Sequence, residues 1–416
     1  MLLRFCAKNH LSLRDPQELS LVSSSLKDTE AGLIPFRGPK DAKALPVAVI
    51  YGANAAGKSN VVDAIEYMRS AVLLSHREGT PGGGVPRAPF ALDEACLKEP
   101  SSFDADFIVD GTRYHYGFSV RNDAFAGEWL HAFPSGKRQT LFERSHQDFD
   151  FGRSLKGRNR VIADLTRPNS LFVAAGAQND HEELSKVSKF FRSIVIYSGS
   201  DVPSSIVDPS SDLSRVVAFL SEIGTGVDGY RFTESELSGD ALEAITAIRS
   251  VFKKRDPNVM MPDKFHVVQL SHRSVQGEKV FLDFENESTG TRRLLRLLQP
   301  ALQVLDTGGV LIVDEIDASL HTKACEAIIA LFSSKEKNRA GAQLIATTHD
   351  TNLLRSPLLR RDQIWFTEKG PNQATHLYPL SDFHTRQGDN IEKGYLQGRY
   401  GAIPFAGSPS DLLENV

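Results

Sequence analysis

Cysteine is scarce in this chain of 416 residues: Cys6, Cys96 and Cys325 are far apart and odd in number. They supply neither a disulfide framework nor the paired spacing of a zinc site, so they read as reduced core thiols in a cytoplasmic protein. Long apolar runs are missing too. No stretch is long enough to span a bilayer. The opening residues Met1-Leu2-Leu3-Arg4-Phe5 alternate like a strand and lack a signal-peptide core. No membrane role is expected on those grounds. Charge of one sign is also lacking: 48 Lys and Arg against 52 Asp and Glu leave a net charge of -4. That total makes no case for strong nonspecific nucleic-acid binding, although a local basic patch fits inside it. No heptad pattern persists, which excludes a long coiled-coil arm, and there is no internal repeat. What remains is an ordinary globular composition, 41% hydrophobic and 24% charged. The chain is long enough for a large core and more than one lobe.

Against that background one stretch stands out, Gly52-Ala53-Asn54-Ala55-Ala56-Gly57-Lys58-Ser59. The apolar run Val47 to Tyr51 leads into it and the amphipathic run Asn60 to Met68 leaves it. A buried strand, a turn bounded by glycines and a helix N-terminus make the context of a phosphate loop. Gly52 and Gly57 let the backbone approach a phosphate. The loop N–H groups, from Asn54 to Asn60, and the positive end of the helix form the anion site. Lys58 reaches the β- and γ-phosphates in this arrangement, and the Ser59 hydroxyl sits on Mg²⁺.

The rest of the chain reads coarsely. Phe5 to Leu13 and Glu18 to Val22 are expected strands, and the helix after the loop is expected to run to about Leu74. Gly79 to Gly84 is a Gly-rich connection. Residues 101–145 alternate apolar and polar around an Asp110-Gly111 hairpin signal, which predicts an antiparallel sheet. Asn169 to Gln178 is apolar and ends in a lone glutamine. Residues 181–260 are expected to be mainly helical, with helical spacing at Leu213–Leu220 and Ala241–Ile248. Phe265–Leu270 and Lys279–Phe284 predict a hairpin around Gln276-Gly277. From residue 290 the pattern is helix, strand, helix, strand.

Three further motifs carry chemistry. Val310-Leu311-Ile312-Val313 is an apolar strand that ends in Asp314 and Glu315, where open α/β sheets place their ligands. Asp314 is suited to Mg²⁺. Glu315, on the opposite pleat, is suited to polarise an attacking water. Gln343 to Thr348 is a second apolar strand, ending at His349, which is placed to contact the γ-phosphate. Ser288 and Gly290 precede a helix expected over Arg292–Val304, which makes a second anion-binding helix end. One chain has no use for two such ends on one γ-phosphate, whereas a head-to-tail homodimer does.

The order phosphate loop, Gln178, Ser288-Thr289-Gly290, Asp314-Glu315, His349 resembles that of ABC-type ATPase heads of the SMC, RecF and overcoming-lysogenisation-defect kind. More than half the chain separates Lys58 from Asp314, so the head is split as in those proteins. Leu320-His321 after the acidic pair, and the ending Arg386 to Pro404, are similar to the RloA and abortive-infection branch and to PARIS-type phage-defence ATPases. The signature departs from the transporter pattern at Thr289 and Thr291.

The resemblance implies an α/β, ABC-type phosphate-loop ATPase head with an antiparallel β subdomain and a short helical insertion. Its expected divisions are an N-terminal lobe over 1–180, an insertion over 181–264 and a C-terminal lobe over 265–416. It implies ATP and Mg²⁺ as cofactors. Catalysis falls to Glu315, His349 and Gln178, and metal binding to Ser59, Gln178 and Asp314. Nucleotide binding falls to Gly52, Asn54, Gly57, Lys58, Ser59 and Asn60, with Ser288 and Gly290 from a second copy. The implied role is a sensor in phage defence that controls an effector protein encoded nearby. The alternative is a RecF- or SMC-like repair ATPase acting directly on DNA. A TOPRIM-type nuclease is disfavoured because Asp382 and Asp389 are too few acids. The C-terminal Arg/Tyr/Gly-rich run reads as a packed cap in preference to a nucleic-acid grip.

Overall fold

The computed structural model describes residues 1–26, 28–30, 32–38, 42–198, 210–235, 265–386 and 388–403. The chain divides into two compact units, one of residues 1–198, 303–317 and 325–416, the other of residues 199–302 and 318–324. These boundaries differ from the expected 1–180, 181–264 and 265–416. The physical reason lies in strand pairing. Ile194–Tyr197, placed by expectation in a helical insertion, pairs in parallel with Val310–Val313 and so belongs to the sheet of the first unit.

That sheet has six strands, in the order Ile194–Tyr197, Val310–Val313, Gln343–Thr348, Val47–Gly52, Ile364–Lys369, Thr375–Pro379. The first five run parallel and the last is antiparallel to its neighbour. Val47–Gly52, Val310–Val313 and Gln343–Thr348 are buried at every position, which is why they read as near-continuous apolar runs. Because these neighbours are parallel, the phosphate loop, the Asp314-Glu315 pair and His349 all leave the sheet at the same edge.

The helix Lys58–Glu78 is a turn longer than expected and buries Val61, Val62, Ala64, Ile65, Met68 and Val72. These join one apolar cluster with Ile50, Ile312 and Ile345 of the parallel sheet and with Phe103, Phe107, Tyr116 and Phe118. The last four come from a seven-stranded antiparallel sheet, ordered Asp148–Phe151, Gln139–Ser145, Phe125–Phe133, Thr112–Val120, Ser101–Val109, Leu2–Lys8, Gln17–Ser20. The long helix is therefore the shared filling of two sheets. The first strand stops at Lys8, short of Leu13, because the chain turns through Asn9 and Leu11 at positive φ. The Asp110-Gly111 turn forms as the dipeptide predicts, with φ of 48° and 75°.

In the second unit, Gly229–Ser235, Phe265–Arg273 and Lys279–Asp283 form an antiparallel sheet. The strand Gly229–Ser235 departs from the helical expectation for 181–260, while Glu182–Arg192 and Ser214–Glu222 are helices. The helix expected at Ala241–Ile248 lies outside the described residues. All three cysteines are free and buried. Among the described residues no helix is long and apolar enough to cross a membrane. The C-terminal run packs as a cap: Tyr395 and Tyr400 are buried and stack on Phe366 with ring centroids 5.5 and 5.9 Å away.

Candidate nucleotide site

Each glycine of the phosphate loop is forced by a threonine. A Cβ on Gly52 would lie 2.4 Å from the Thr367 hydroxyl oxygen, and one on Gly57 would lie 2.1 Å from that of Thr375. Gly57 also holds φ at +104°, left-handed backbone that favours glycine. The helix starts at Lys58 with no acidic residue in its first turn and no side-chain cap. The Asn60 and Val61 amides bond to the Gly57 carbonyl, and the Lys58 and Ser59 amides are the first-turn donors for an anion. The Lys58 ammonium donates to the carbonyls of Gly52 at 2.9 Å and Ala53 at 3.1 Å, and lies 3.4 Å from His349 Nδ1. Burial holds Lys58 below the ordinary lysine range, against the opposing pull of Asp314, Glu315 and Asp317.

The acidic pair is arranged differently from a simple pleat. The strand ends at Val313, and Glu315 sits in the following turn with φ of 54°. A left-handed residue, not strand alternation, turns Glu315 to the cavity. Thr347, fully buried on the adjacent strand, fixes that turn. Its hydroxyl donates to Asp314 Oδ1 at 2.6 Å and accepts from the Glu315 amide at 2.7 Å. Asp317 does the same for the histidine strand, accepting from the Thr348 hydroxyl at 2.8 Å and from the His349 amide at 3.3 Å.

Lys58, Glu315 and His349 face a cavity of about 470 Å³, lined also by the rest of the loop from Asn54 to Asn60 and by Lys369; Asp314 is not among its lining residues. Asn54 and Ser59 are exposed at its wall. The Asn60 side chain donates from Nδ2 to Ser12 Oγ at 2.6 Å, and Ser12 Oγ lies 2.7 Å from Thr375 Oγ1. Thr375 in turn donates to the Ala56 carbonyl at 2.9 Å. Asn60 thus braces the loop from beneath. Gln178 is exposed at the end of the helix Phe172–Gln178 and is not among the lining residues.

Ser288 and Gly290 belong to the second unit and line a different cavity, of about 570 Å³, with Thr291, Ser319 and His321. The helix begins at Thr289, earlier than the expected Arg292, because Ser288 caps it: Ser288 Oγ accepts from the Thr291 amide at 3.1 Å. A Cβ on Gly290 would meet the Ser319 carbonyl at 2.9 Å.

Sequence reasoning missed Thr347, Asp317, Ser12, Thr367, Thr375 and Lys369. Thr347 lies inside a recognised motif, where a polar residue in a buried strand is the available signal; Asp317 stands in the turn beyond the strand that ends at Val313, with no such signal. The other four carry no local signal, since only strand order brings them to the loop.

A family profile described as "AAA domain, putative AbiEii toxin, Type IV TA system" matches residues 47–355, which include the phosphate loop, Asp314-Glu315 and His349. Among solved structures the chain is similar to the SMC head domain from Thermotoga maritima. The identity is 14% and the TM-score 0.39, with 91% of this chain and 98% of that one covered. It is also similar to an SMC head bound to the C-winged helix domain of ScpA, at 14% identity and a TM-score of 0.41, with 94% and 99% covered. No curated protein matches the chain.

Proposed function

The chain belongs to this family of AAA domains and is a phosphate-loop protein of the ATPase class, and from that premise we propose that it binds and slowly hydrolyses ATP with Mg²⁺, using the nucleotide as a switch for assembly. The observation that carries the reading is the convergence of Lys58, Glu315 and His349 on one cavity beside the helix N-terminus. Phosphoryl transfer needs positioned phosphates, charge neutralisation and a placed water. Lys58 and the loop N–H groups hold the phosphates. Ser59 and Asp314 would offer the oxygen donors that a hard divalent ion takes, and the ion would supply charge neutralisation there. Gln178, outside the cavity lining, would join them as an oxygen ligand only after moving toward the loop. Glu315 accepts the proton of the attacking water. His349 contacts the terminal phosphate and is held by Asp317.

Ser288 and Gly290 are assigned to the nucleotide of a second copy, so that two chains enclose two nucleotides. We place this assembly in phage defence of the abortive-infection kind, close to the RloA and PARIS-type branch, where it would hold and release a partner effector. Support comes from the family match and from the Leu320-His321 pair.

The test is Glu315→Gln beside Lys58→Ala. Glu315→Gln is expected to keep ATP binding, abolish hydrolysis and accumulate a dimer or larger assembly by light scattering. Lys58→Ala is expected to lose ATP binding, and Ser288→Arg to block assembly while single chains still bind ATP. Normal turnover by Glu315→Gln would remove Glu315 from its role. Co-purification of the Glu315→Gln assembly with the product of a neighbouring reading frame checks the effector.

A further inference from the structure

The phosphate loop is braced by a hairpin whose strands are Ile364–Lys369 and Thr375–Pro379. Thr367 stands level with Gly52 on the neighbouring parallel strand and packs against it. Thr375 presses on Gly57 and donates to the Ala56 carbonyl. Residues two apart on a strand share a face, and residues directly opposite on an antiparallel pair do so too. Lys369 meets both conditions, being two residues beyond Thr367 and directly opposite Thr375. It therefore projects on the loop side, where it is exposed and lines the same cavity as Lys58. Glu368, one residue earlier, faces the other way and accepts from the Ala402 amide of the C-terminal cap at 3.0 Å.

We propose that Lys369 is a second cationic contact for the phosphate chain of the bound nucleotide, delivered to the loop by the hairpin rather than by the phosphate-loop motif. The inference rests on the nucleotide reading above. Lys58 is tethered to loop carbonyls at the buried end of the cavity, whereas Lys369 is a mobile point charge on a flexible stem at its open side. A nucleoside triphosphate is a polyanion that Lys58 and one divalent ion would still leave under-compensated, with Glu315 in the same cavity adding negative charge. The preference that follows is for tri- and diphosphates over monophosphates.

Calorimetric titration with ATP, ADP and AMP tests this. Lys369→Ala is expected to weaken ATP about tenfold, the size of one charge-assisted contact. AMP should be affected less, and the salt dependence of ATP binding should flatten. Lys369→Arg should restore most of the affinity. The melting temperature of Lys369→Ala should match that of the unaltered chain, since the side chain is exposed. ATP binding by Lys369→Ala equal to that of the unaltered chain, while Lys58→Ala abolishes it, would overturn the role of Lys369 and leave the nucleotide site standing. Failure of the unaltered chain to bind any of the three nucleotides would overturn both.

Discussion

The Thr347 hydroxyl donates to Asp314 Oδ1 at 2.6 Å, across the boundary between two parallel strands. The same oxygen accepts the Glu315 amide, and the Thr347 carbonyl accepts the Ile316 amide at 2.9 Å. One residue on the histidine strand thus sets the whole turn that carries both carboxylates. The acidic pair and the histidine are therefore not independent parts. Strand Gln343–Thr348 ends in His349 and, two residues earlier, fixes Asp314 and Glu315.

Thr347→Val keeps the side-chain shape and removes the hydroxyl. The part-buried Glu315 amide loses its acceptor, a loss worth about 0.5–1.5 kcal/mol. Hydrolysis is expected to fall roughly 10- to 100-fold, the usual scale for losing a support behind a ligand or catalytic group. ATP affinity should hardly change, because Lys58 and the loop N–H groups are untouched. Urea unfolding and steady-state phosphate release measure the two effects. Unchanged turnover at reduced stability would confine Thr347 to the fold.

Asp317 acts on His349 through the backbone, so its removal should resemble removal of the histidine. We expect Asp317→Ala and His349→Ala to slow turnover by similar factors. The double substitution should cost little more than either alone, since residues acting as one unit are non-additive. Full additivity in single-turnover assays would show that Asp317 serves something other than His349.

Val47–Gly52, Val310–Val313 and Gln343–Thr348 were legible because burial on both faces leaves a continuous apolar run. The Asp110-Gly111 hairpin was legible because its backbone signs demand those residues. Ile194–Tyr197 falls in a stretch that reads as a helical insertion, although Ile, Val, Ile and Tyr all favour strands. Four residues are too few for periodicity to overrule the helical neighbours Glu182–Arg192 and Ser214–Glu222. Glu315 was recognised but its geometry was not, since a positive φ at a glutamate leaves no trace in composition. Thr367 and Thr375 were invisible because their importance depends on which strand lies beside Gly52 and Gly57.

That dependence gives a glycine prediction with an internal control. Gly57→Ala introduces a Cβ 2.1 Å from Thr375 Oγ1 and strains φ of +104°, so it should abolish ATP binding and lower the melting temperature. Gly82 also has positive φ, +74°, but nothing lies within 4 Å of its Cβ position. Gly82→Ala should therefore cost only about 1 kcal/mol of backbone strain and leave ATP affinity intact. Equal losses of affinity in both variants would mean that strain alone, without the threonine brace, explains the phosphate-loop glycine.

The last prediction concerns how the helix ending at Gln178 is held. Glu128 and Arg144 are both fully buried and lie 3.4 Å apart. Glu128 accepts the first two free amides of that helix, Phe172 at 2.6 Å and Val173 at 3.0 Å, together with the Tyr116 hydroxyl at 3.0 Å. Arg144 donates to the Ser170 carbonyl at 2.6 Å, just upstream. A carboxylate at a helix N-terminus satisfies donors that would otherwise be orphaned. Removing one partner of a buried ion pair leaves the other charge uncompensated, which typically costs about 3–5 kcal/mol. Glu128→Gln should lose stability on that scale in urea unfolding. Combining it with Arg144→Met should return part of the loss, because the stranded cation is gone while one of the two helix amides, which bond to different oxygens of Glu128, keeps the single glutamine oxygen. If Gln178 serves the nucleotide, Glu128→Gln should also slow hydrolysis at temperatures well below its melting point. A loss under about 1 kcal/mol would place this pair with weak surface ion pairs and remove its role as the anchor of Gln178.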